Sequence, residues 1–421
     1  ILNDNGMSID PNVGGMSRHL SRLRSKPGYY AFKKRYRQVL ESSQTGQKLY
    51  SVSHDVKTAL KKSLLPGSTL FENMGFTYMG PVDGHDVVQL TRMLREAKDL
   101  RCPVLLHVHT VKGQGYGPAE ADPGRFHGIG PFDVRTGSGK PAAPSFSSVF
   151  GETLTRLAGE DRRICALTAA MVDGTGLTKF SKTYPSRFFD VGIAEANMIG
   201  VAAGMSATGK TPFVHSFGPF ATRRCFDQLF LSVAYGRNTV NVIGSDPGIT
   251  ALYNGGTHMP FEDVGIMRNI PTAVIVEPTD TTMLRSIVRD LSEKRGLHYI
   301  RLKRKTAIKV YEEGTTFTIG KGITVREGSD VTLIAAGIMV SEALAAAEQL
   351  AVEGISARVI DMFTIKPIDA ELIKQAAAET GAIVTCENHS VINGLGSAVA
   401  EVLVQNTPVP MEMVGVKDQF G

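Results

Sequence analysis

Cysteine is scarce in this chain of 421 residues, which contains only four. Cys102, Cys165, Cys225 and Cys386 lie far apart, and no two of them form a CxxC pair. This spacing excludes a scaffold built on disulfides and argues against a cysteine-rich zinc site. It is typical of a protein from a reducing compartment, so we expect a cytoplasmic location.

Long apolar runs are absent as well. No stretch approaches the roughly 20 apolar residues that span a bilayer, so we expect a soluble protein with no membrane partner. The chain also begins without an initiator Met or a signal peptide, and an apolar strand end, Ile1-Leu2, runs directly into polar residues. We therefore expect it to be a piece of a longer protein.

A strong net charge is lacking too, because 46 Lys and Arg residues oppose 41 Asp and Glu residues, which leaves +5. One cluster of cations between Arg18 and Arg37 departs from this even distribution. A solvated basic segment is the simpler interpretation, because a nucleic-acid surface would need aromatic platforms or a binding fold around it. We expect no nucleic-acid partner.

What the chain does contain is a regular alternation of short apolar runs and helical patterns, such as the Ala and Leu repeat in 341–353. This alternation predicts a doubly wound α/β fold with buried parallel strands. No GxGxxG motif follows a strand with an acid at the expected distance, so a nicotinamide-dependent dehydrogenase is disfavoured. The predicted strands are 103–108, 163–167, 239–243, 273–276, 331–335 and 382–385.

Two breaks divide the chain. Residues 130–144 are rich in Gly, Pro and Ser, and residues 312–328 are polar and punctuated by Gly. We place domain boundaries near residues 140 and 315. The sequence therefore predicts three α/β domains with mostly parallel sheets, at 1–140, 141–314 and 315–421.

Glu195 is the first candidate for catalysis. The segment before it reads as a short strand that ends near Ile193, and small residues then open a helix at Glu195. A carboxyl group in this apolar setting can keep or share its proton, as a general acid must. A Glu that only stabilises a helix N-terminus is the alternative, and this pattern alone does not separate the two.

Other candidates lie in polar or Gly-rich loops. The cluster Asn3-Asp4-Asn5 with Met7 offers the hard oxygen atoms that Mg²⁺ prefers, although ordinary turn chemistry explains it equally well. His127 and His258 lie where an imidazole can reach substrate, or are structural histidines. Phe220, beside two arginines, suits a flat ring near an anionic group, or core packing.

Taken together, these segments resemble the 1-deoxy-D-xylulose-5-phosphate synthase family of the thiamin-diphosphate-dependent transketolase superfamily. Close matches lie in 67–86, with Gly80-Pro81-Val82-Asp83-Gly84-His85-Asp86, and in 112–133, with Pro118-Ala119-Glu120. The resemblance covers nearly the whole chain. It implies an incomplete diphosphate-binding domain at 1–140, a pyrimidine-binding domain at 141–314, a transketolase C-terminal domain at 315–421, and a homodimer.

The resemblance also implies a site for thiamin diphosphate and Mg²⁺. Asn5 would coordinate the metal through its side chain and Met7 through its backbone carbonyl, and a Gly-Asp-Gly motif outside this chain would add a ligand. Tyr116 and Phe220 match positions that contact the cofactor. Glu195 matches the glutamate that hydrogen-bonds the aminopyrimidine ring and favours its imino tautomer, which takes the C2 proton.

The implied substrates are small molecules, pyruvate and glyceraldehyde 3-phosphate. Pyruvate would be decarboxylated and its two-carbon unit joined to the aldehyde, which forms 1-deoxy-D-xylulose 5-phosphate and feeds isoprenoid and thiamin synthesis. His127 and His258 would move protons on substrate oxygens. Arg304 would bind the substrate phosphate with its fixed donor fork.

Some segments depart from the synthase pattern. Pro247 stands where the synthases carry a phosphate-binding arginine, and Asn254 stands where many relatives carry an acid. Residues 220–228 and 248–258 are closer to a transketolase. A transketolase-type transfer of a two-carbon ketol unit between sugar phosphates is therefore the alternative function, and a non-catalytic partner subunit is a third hypothesis.

Overall fold

The computed structural model of the protein describes residues 1–7, 14–16, 18, 20, 69–139, 144–304 and 308–421. The basic cluster, apart from Arg18, lies outside these residues. Two compact units divide the chain, Ile1–Lys140 and Pro141–Gly421. The domain boundaries near residues 140 and 315 both stay predictions; the first lies beside this division and the second lies inside the second unit.

The first unit contains a small parallel sheet flanked by short helices. Asp86 begins the longest described helix of this unit, because its carboxylate accepts the backbone N–H of Gln89 at 2.9 Å. The elements are β1 Leu2–Asp4, α1 Thr69–Asn73, β2 Thr77–Asp83, α2 Val87–Asp99, β3 Val104–His109, α3 Gly117–Ala121, β4 Phe132–Asp133 and β5 Ser138–Gly139. Within the described part, the sheet order is β1-β3-β2.

The second unit begins with a larger α/β layer. Its helix α4 starts at a reciprocal cap, in which Ser145 Oγ accepts the N–H of Ser148 and Ser148 Oγ accepts the N–H of Ser145. The elements of this layer are α4 Phe146–Glu160, β6 Ile164–Thr168, α5 Thr178–Thr183, β7 Phe188–Asp190, α6 Glu195–Ala207, β8 Thr211–Phe217, α7 Gly218–Ala221, a π-helix Gln228–Tyr235, β9 Val240–Ser245, α8 Asp263–Arg268, β10 Val274–Val276, α9 Thr281–Glu293 and β11 Leu297–Leu302.

The remainder of the second unit forms another α/β layer. Its elements are β12 Ile323–Arg326, β13 Val331–Ala335, α10 Met339–Val352, β14 Ala357–Asp361, β15 Thr364–Lys366, α11 Ala370–Thr380, β16 Ile383–Ser390, α12 Leu395–Asn406 and β17 Met411–Val416. Among the described residues, the strands of the second unit form two sheets in the orders β15-β10-β11-β9-β8-β6-β7 and β12-β14-β13-β16-β17. All pairings within these two sheets are parallel except β15 with β10 and β12 with β14.

The two layers of the second unit share one sheet edge, since β15 pairs with β10 across them. Strands in the middle of the larger sheet are buried on both faces, which explains why β6 reads as a continuous apolar run. Helix α4 covers one face, and α6 belongs to the cluster on the other face. The predicted α/β fold with mostly parallel sheets is confirmed. No helix in the described ranges is long and apolar enough to cross a bilayer.

A buried ion-pair network joins the two layers around Arg301, which is fully buried on β11. Its guanidinium donates to Asp263 at 2.8 Å and to Glu277 at 2.9 Å, and Tyr299 also donates to Asp263, at 2.6 Å. Burial opposes the charge of the guanidinium, but the two carboxylates hold the pKa of Arg301 above its ordinary value. The charge is therefore kept inside the fold by its partners.

A second buried acid, Asp361, makes the stability depend on pH. Its carboxyl accepts the hydroxyls of Thr279 at 2.6 Å and Tyr311 at 2.7 Å, yet burial raises the pKa of Asp361 from 3.8 to about 7. The folded chain therefore holds this proton where the unfolded chain releases it, so raising the pH from 3.8 towards 7 lowers stability. We expect Asp361→Asn to make this loss smaller, measured by urea unfolding across that range, and the remainder is assigned to Glu387, whose pKa burial also raises to about 7.

The control for this prediction is Asp330→Asn. Asp330 is exposed, and hydrogen bonds from the backbone of Ser356 and from Ser329 lower its pKa. This variant should leave the decline of stability towards neutral pH in place. An Asp361→Asn protein with the wild-type slope would contradict the assignment of that slope to Asp361.

Candidate active site

In the second unit, polar and aromatic side chains gather beyond the carboxyl ends of parallel strands, where open α/β sheets bind ligands. Glu195 follows β7, Phe220 follows β8, Asp246 follows β9 and Arg304 follows β11. The order β11-β9-β8-β6-β7 brings these strand ends to one edge of the sheet. Three of the predicted site residues, Phe220, Arg304 and Glu195, therefore share this edge.

Helix α6 begins at Glu195, as the sequence predicts, but β7 ends at Asp190 rather than near Ile193. The intervening turn is held by Asp190, whose carboxylate accepts the N–H of Ala170 at 2.8 Å and of Gly192 at 2.9 Å. The helix start places a carboxyl group where negative charge is favourable. Glu195 is only 4% exposed, so its surroundings control its chemistry.

Arg224 is the partner of Glu195. Its Nη1 donates to Glu195 Oε1 at 2.7 Å, and its guanidinium lies 4.0 Å from the centre of the Phe220 ring. The prediction of an apolar setting for Glu195 is therefore corrected, because Arg224 is the charged partner that a buried carboxylate requires. Arg224 thus contacts both side chains that the resemblance assigns to the aminopyrimidine ring.

The rings of Phe217, Phe220 and His258 pack edge to face against one another. The ring of His258 lies 5.0 Å from that of Phe220 and 5.1 Å from that of Phe217, and the two Phe rings are 6.0 Å apart. Such T-shaped contacts fix ring orientation. The structure therefore holds His258 next to Phe220, although 38 positions of sequence (220 to 258) separate them.

Arg304 lies beside the Phe217 ring of this aromatic group. Its guanidinium lies 5.4 Å from the centre of the Phe217 ring, and its Nη2 is 3.1 Å from Asp246 Oδ2. Its side chain is 32% exposed, so a ligand from solvent can reach it. We call the rings of Phe217 and Phe220 the aromatic wall. Arg224 lies at its Phe220 end, Arg304 lies at its Phe217 end, and His258 contacts both rings.

His258 titrates below its ordinary range. Burial lowers the pKa of His258 first, and the positive charges of Arg224 and Arg304 lower it further. Its Nδ1 lies 2.8 Å from the hydroxyl of Thr257. The imidazole is therefore neutral near pH 7 and can accept or donate a hydrogen bond to a substrate oxygen.

Replacing Arg224 with Gln is expected to raise the pKa of His258, because one of the two nearby cations is removed. The shift is measured by NMR titration of the histidine ring in the substrate-free protein. Arg223→Gln is the matched control, since this neighbouring arginine pairs with Glu262 at 2.8 Å and does not contribute to the lowered pKa. Equal shifts in the two variants would contradict this origin.

The first unit holds the proposed metal ligands. Asn5 Oδ1 accepts the N–H of Met7 at 3.0 Å, the turn contact expected of such a sequence. Asp4 points inward: its Oδ2 is 3.0 Å from His107 Nε2 and its carboxylate is buried. Asn3 accepts the hydroxyl of Thr110 at 2.7 Å. Within the predicted hard-oxygen cluster, Asp4 and Asn3 thus bind other residues of the first unit. The amide oxygen of Asn5 and the carbonyl oxygen of Met7 remain as the predicted metal ligands.

Tyr116 and His127 also lie in the first unit. The hydroxyl of Tyr116 donates to the carbonyl of Val134 at 2.8 Å, and its ring contacts those of Phe126 and Phe132. His127 is exposed, with its backbone N–H on the carbonyl of Gly124 at 3.1 Å. Their roles toward a ligand stay predictions.

The side chains present fit the implied cofactor and metal by their chemistry. A nearly buried carboxyl group beside a partly exposed aromatic ring suits an aminopyrimidine, which offers ring nitrogens and a flat face. An amide oxygen with a backbone carbonyl suits Mg²⁺, which takes few protein ligands. The described residues contain no group of three or more His, Cys, Asp or Glu that could hold a metal ion.

Sequence reasoning missed two contributors. Asp246 was not singled out, although an acid directly after a buried strand is the signal that points to this edge of the sheet. In the sequence, Arg224 is only one of two arginines near Phe220, and nothing there predicts its bond to Glu195. No periodicity reveals that pairing, because it joins two different strand-to-helix connections.

Three parts of the chain match models of known protein families. Residues 1–110 match the 1-deoxy-D-xylulose-5-phosphate synthase family model, residues 142–308 the transketolase pyrimidine binding domain, and residues 320–421 the transketolase C-terminal domain. A 1-deoxy-D-xylulose-5-phosphate synthase 1 from Geobacter sulfurreducens is 41% identical over 428 residues, which cover 100% of this chain and 67% of the relative.

Two further relatives carry transketolase names. The 6-deoxy-6-sulfo-D-fructose transketolase subunit SqwH of a Clostridium species is 53% identical over 270 residues, 64% of this chain and 84% of that subunit. A solved split-gene transketolase, described as an inactive β4 tetramer, has a TM-score of 0.62 and 42% identity over 66% of this chain and 90% of its own.

The fold and these matches define a protein of the transketolase-like class. Within that class, the chain belongs to the 1-deoxy-D-xylulose-5-phosphate synthase family, to whose curated members it is about 40% identical along its whole length. The chain spans 65% to 67% of the length of the first of these relatives.

Proposed function

We propose that the protein containing this chain decarboxylates pyruvate and joins the two-carbon unit to glyceraldehyde 3-phosphate, which forms 1-deoxy-D-xylulose 5-phosphate. The observation that carries the proposal is the similarity of the whole chain to curated synthases of that name, 42% identical in Heliobacterium modesticaldum. The site in the second unit supports it, because a buried carboxyl, an aromatic wall and a neutral histidine lie together.

In this proposal, thiamin diphosphate supplies the nucleophilic carbon and the electron sink. Glu195 hydrogen-bonds the aminopyrimidine ring, a role supported by its burial and its position at the start of α6. Phe220 packs against that ring. Asn5 and Met7 bind Mg²⁺ through an amide and a carbonyl oxygen, and Tyr116 contributes to the cofactor site.

The substrate side of the site is assigned to His258, His127 and Arg304. His258, held neutral between two arginines, exchanges protons with a hydroxyl or carbonyl oxygen of the substrate. Arg304 receives the phosphate of the acceptor, because its guanidinium is one-third exposed and held by one carboxylate, Asp246. His127 is proposed as a second proton carrier on the basis of the resemblance.

Transfer of a two-carbon ketol unit between sugar phosphates is the second candidate. Its support is the 53% identity to a transketolase subunit, together with Pro247 in place of a phosphate-binding arginine. Both reactions use the same cofactor chemistry, so Glu195 and Phe220 do not distinguish them. The residues around His258 and Arg304 bear on the choice of substrate.

The deciding experiment supplies the full-length protein with thiamin diphosphate, Mg²⁺, pyruvate and glyceraldehyde 3-phosphate. Release of carbon dioxide together with formation of 1-deoxy-D-xylulose 5-phosphate, detected by mass spectrometry, supports the synthase. A parallel reaction replaces pyruvate with a ketose phosphate donor. Turnover of that donor without carbon dioxide release from pyruvate would favour the transketolase reaction, and no turnover in either reaction would favour a non-catalytic subunit.

We also propose a homodimer. Helix α6 is rich in small and apolar residues, and Gly200 and Gly204 have open space where a side chain would project. The adjacent π-helix exposes Leu231 by 50% and Tyr235 by 81%. Such exposed apolar residues fit burial against a second copy, which sedimentation of the full-length protein tests. A cytoplasmic location stays a prediction.

A further inference from the structure

The segment between β9 and α8 carries His258 in a backbone conformation that needs support. We call residues 246–260 the His258 loop. Positive φ angles occur at Asp246 (58°), Gly248 (52°), Leu252 (49°) and Gly255 (71°). Non-glycine residues in this region cost energy and persist only where the surrounding structure enforces them. The contacts at the two ends of this loop therefore determine where His258 lies.

One end of the loop is held by Asn388, which comes from β16 in the other layer of the second unit. Its Nδ2 donates to the carbonyl of Pro247 at 2.9 Å, and its Oδ1 accepts the N–H of Ile249 at 2.9 Å. A Cβ on Gly248 would collide with Asn388, so the loop backbone lies directly against this amide. Asn388 is only 4% exposed, and both its Nδ2 and its Oδ1 form hydrogen bonds with the loop.

The other end of the loop is held from the same strand. The N–H of Ser390 donates to the carbonyl of Phe261 at 2.9 Å, directly after the loop. Arg301 Nη2 links this end of the loop to β16, because it donates to the carbonyls of Pro260 at 3.3 Å and Asn388 at 2.7 Å. Pro260 in turn accepts the N–H of Gly248 at 3.3 Å. The two ends are thus closed onto one another and onto β16.

We infer that Asn388 is a positioning residue, which holds the His258 loop in the conformation that presents His258 to the substrate. The inference rests on the role proposed for His258 and extends it to a residue of the C-terminal layer whose side-chain hydrogen bonds, within the described part of the chain, end on the loop backbone. Both amide contacts end on loop backbone, so they fix the loop whatever its side chains are. Losing them removes the acceptor of the Ile249 N–H and leaves the Pro247 carbonyl with Thr250 as its partner.

Hydrogen exchange tests the inference without any turnover. In Asn388→Ala, the amide of Ile249 and its neighbours in the loop are expected to exchange at least about 10-fold faster. Exchange requires local opening of the loop, and in this variant opening no longer has to break the hydrogen bond to Asn388. Asn388→Asp should retain protection at Ile249, since a carboxylate still accepts that N–H, while it repels the Pro247 carbonyl. Thr385→Val on the same strand is the control, since the Thr385 hydroxyl has no partner among the described residues.

Kinetics supply the second readout. In the full-length protein, Asn388→Ala should raise the KM of the acceptor by about 10-fold or lower kcat by a similar factor through misplacement of His258. The dissociation constant of thiamin diphosphate, measured by calorimetry with Mg²⁺, should stay near that of the wild type, because Glu195 and Phe220 are not contacted. Thr385→Val should match the wild type in both measurements.

Several results would overturn the inference. One is a loop that exchanges at the wild-type rate in Asn388→Ala, and another is an equal loss of protection throughout β16 and the loop, which marks a general loss of stability. A wild type that turns over neither donor refutes the proposed function, yet the exchange result at Ile249 still decides whether Asn388 holds the loop. Unchanged kinetics with faster exchange would refute only the link to His258.

Discussion

Glu195→Gln is expected to lower kcat of the full-length protein by at least about 100-fold, the scale of a lost acid or base group. The amide keeps the size of the side chain but does not exchange a proton with the aminopyrimidine as a carboxyl group does. The fold should survive, because Arg224 is 45% exposed and water replaces its lost partner. Turnover is measured with saturating cofactor, and cofactor binding is measured separately by calorimetry.

Glu160→Gln is the matched control for this experiment. Glu160 also pairs with an arginine, Arg289 at 3.1 Å, but both side chains are about half exposed and lie on helices away from the site. Such a surface pair contributes about 0 to 1 kcal/mol, so kcat should not change. Full activity in Glu195→Gln would refute the role of Glu195 and with it the proposed cofactor chemistry.

Arg301→Met is expected to lower the free energy of unfolding by about 3 to 5 kcal/mol, because it leaves two buried carboxylates without their cation. Asp263 is fully buried and Glu277 nearly so, and neither has access to water that would replace the guanidinium. The two hydrogen bonds to the carbonyls of Pro260 and Asn388 are lost as well. Urea unfolding monitored by circular dichroism measures the effect.

The origin of this loss is tested by restoring charge balance. Adding Asp263→Asn and Glu277→Gln to Arg301→Met removes the uncompensated charges and should recover a large part of the stability. Arg289→Met, at the exposed pair with Glu160, should cost less than about 1 kcal/mol. A triple variant no more stable than Arg301→Met would show that lost packing, rather than unpaired charge, dominates.

Much of the fold follows from local pattern. The apolar runs at 163–167 and 331–335 become β6 and β13 almost residue for residue, because a strand buried on both faces must be apolar along its length. The run at 382–385 continues to Ser390 as β16, through Glu387, Asn388 and His389. These polar residues do not read as a strand, since their burial depends on partners from other segments.

The candidate site also has features that the local sequence predicts and contacts that only the folded chain forms. The helix start at Glu195 and the Gly-rich loop around His258 were both visible in the sequence. Asp4, interpreted as part of a hard-oxygen cluster, instead packs its carboxylate against His107, 103 positions away. A buried carboxylate takes whichever donor the sheet places beside it, and β1 lies next to β3 only in the folded sheet.

The order of strands and helices and the kinds of side chain at each strand end are written in the chain, because burial and helix capping depend on neighbours a few positions away. Which charges meet is not written there. Arg224 and Glu195 are separated by 29 positions, and Arg301 and Asp263 by 38. A charge removed from water must find a partner in three dimensions, and that partner is supplied by the packing of distant strands against one another.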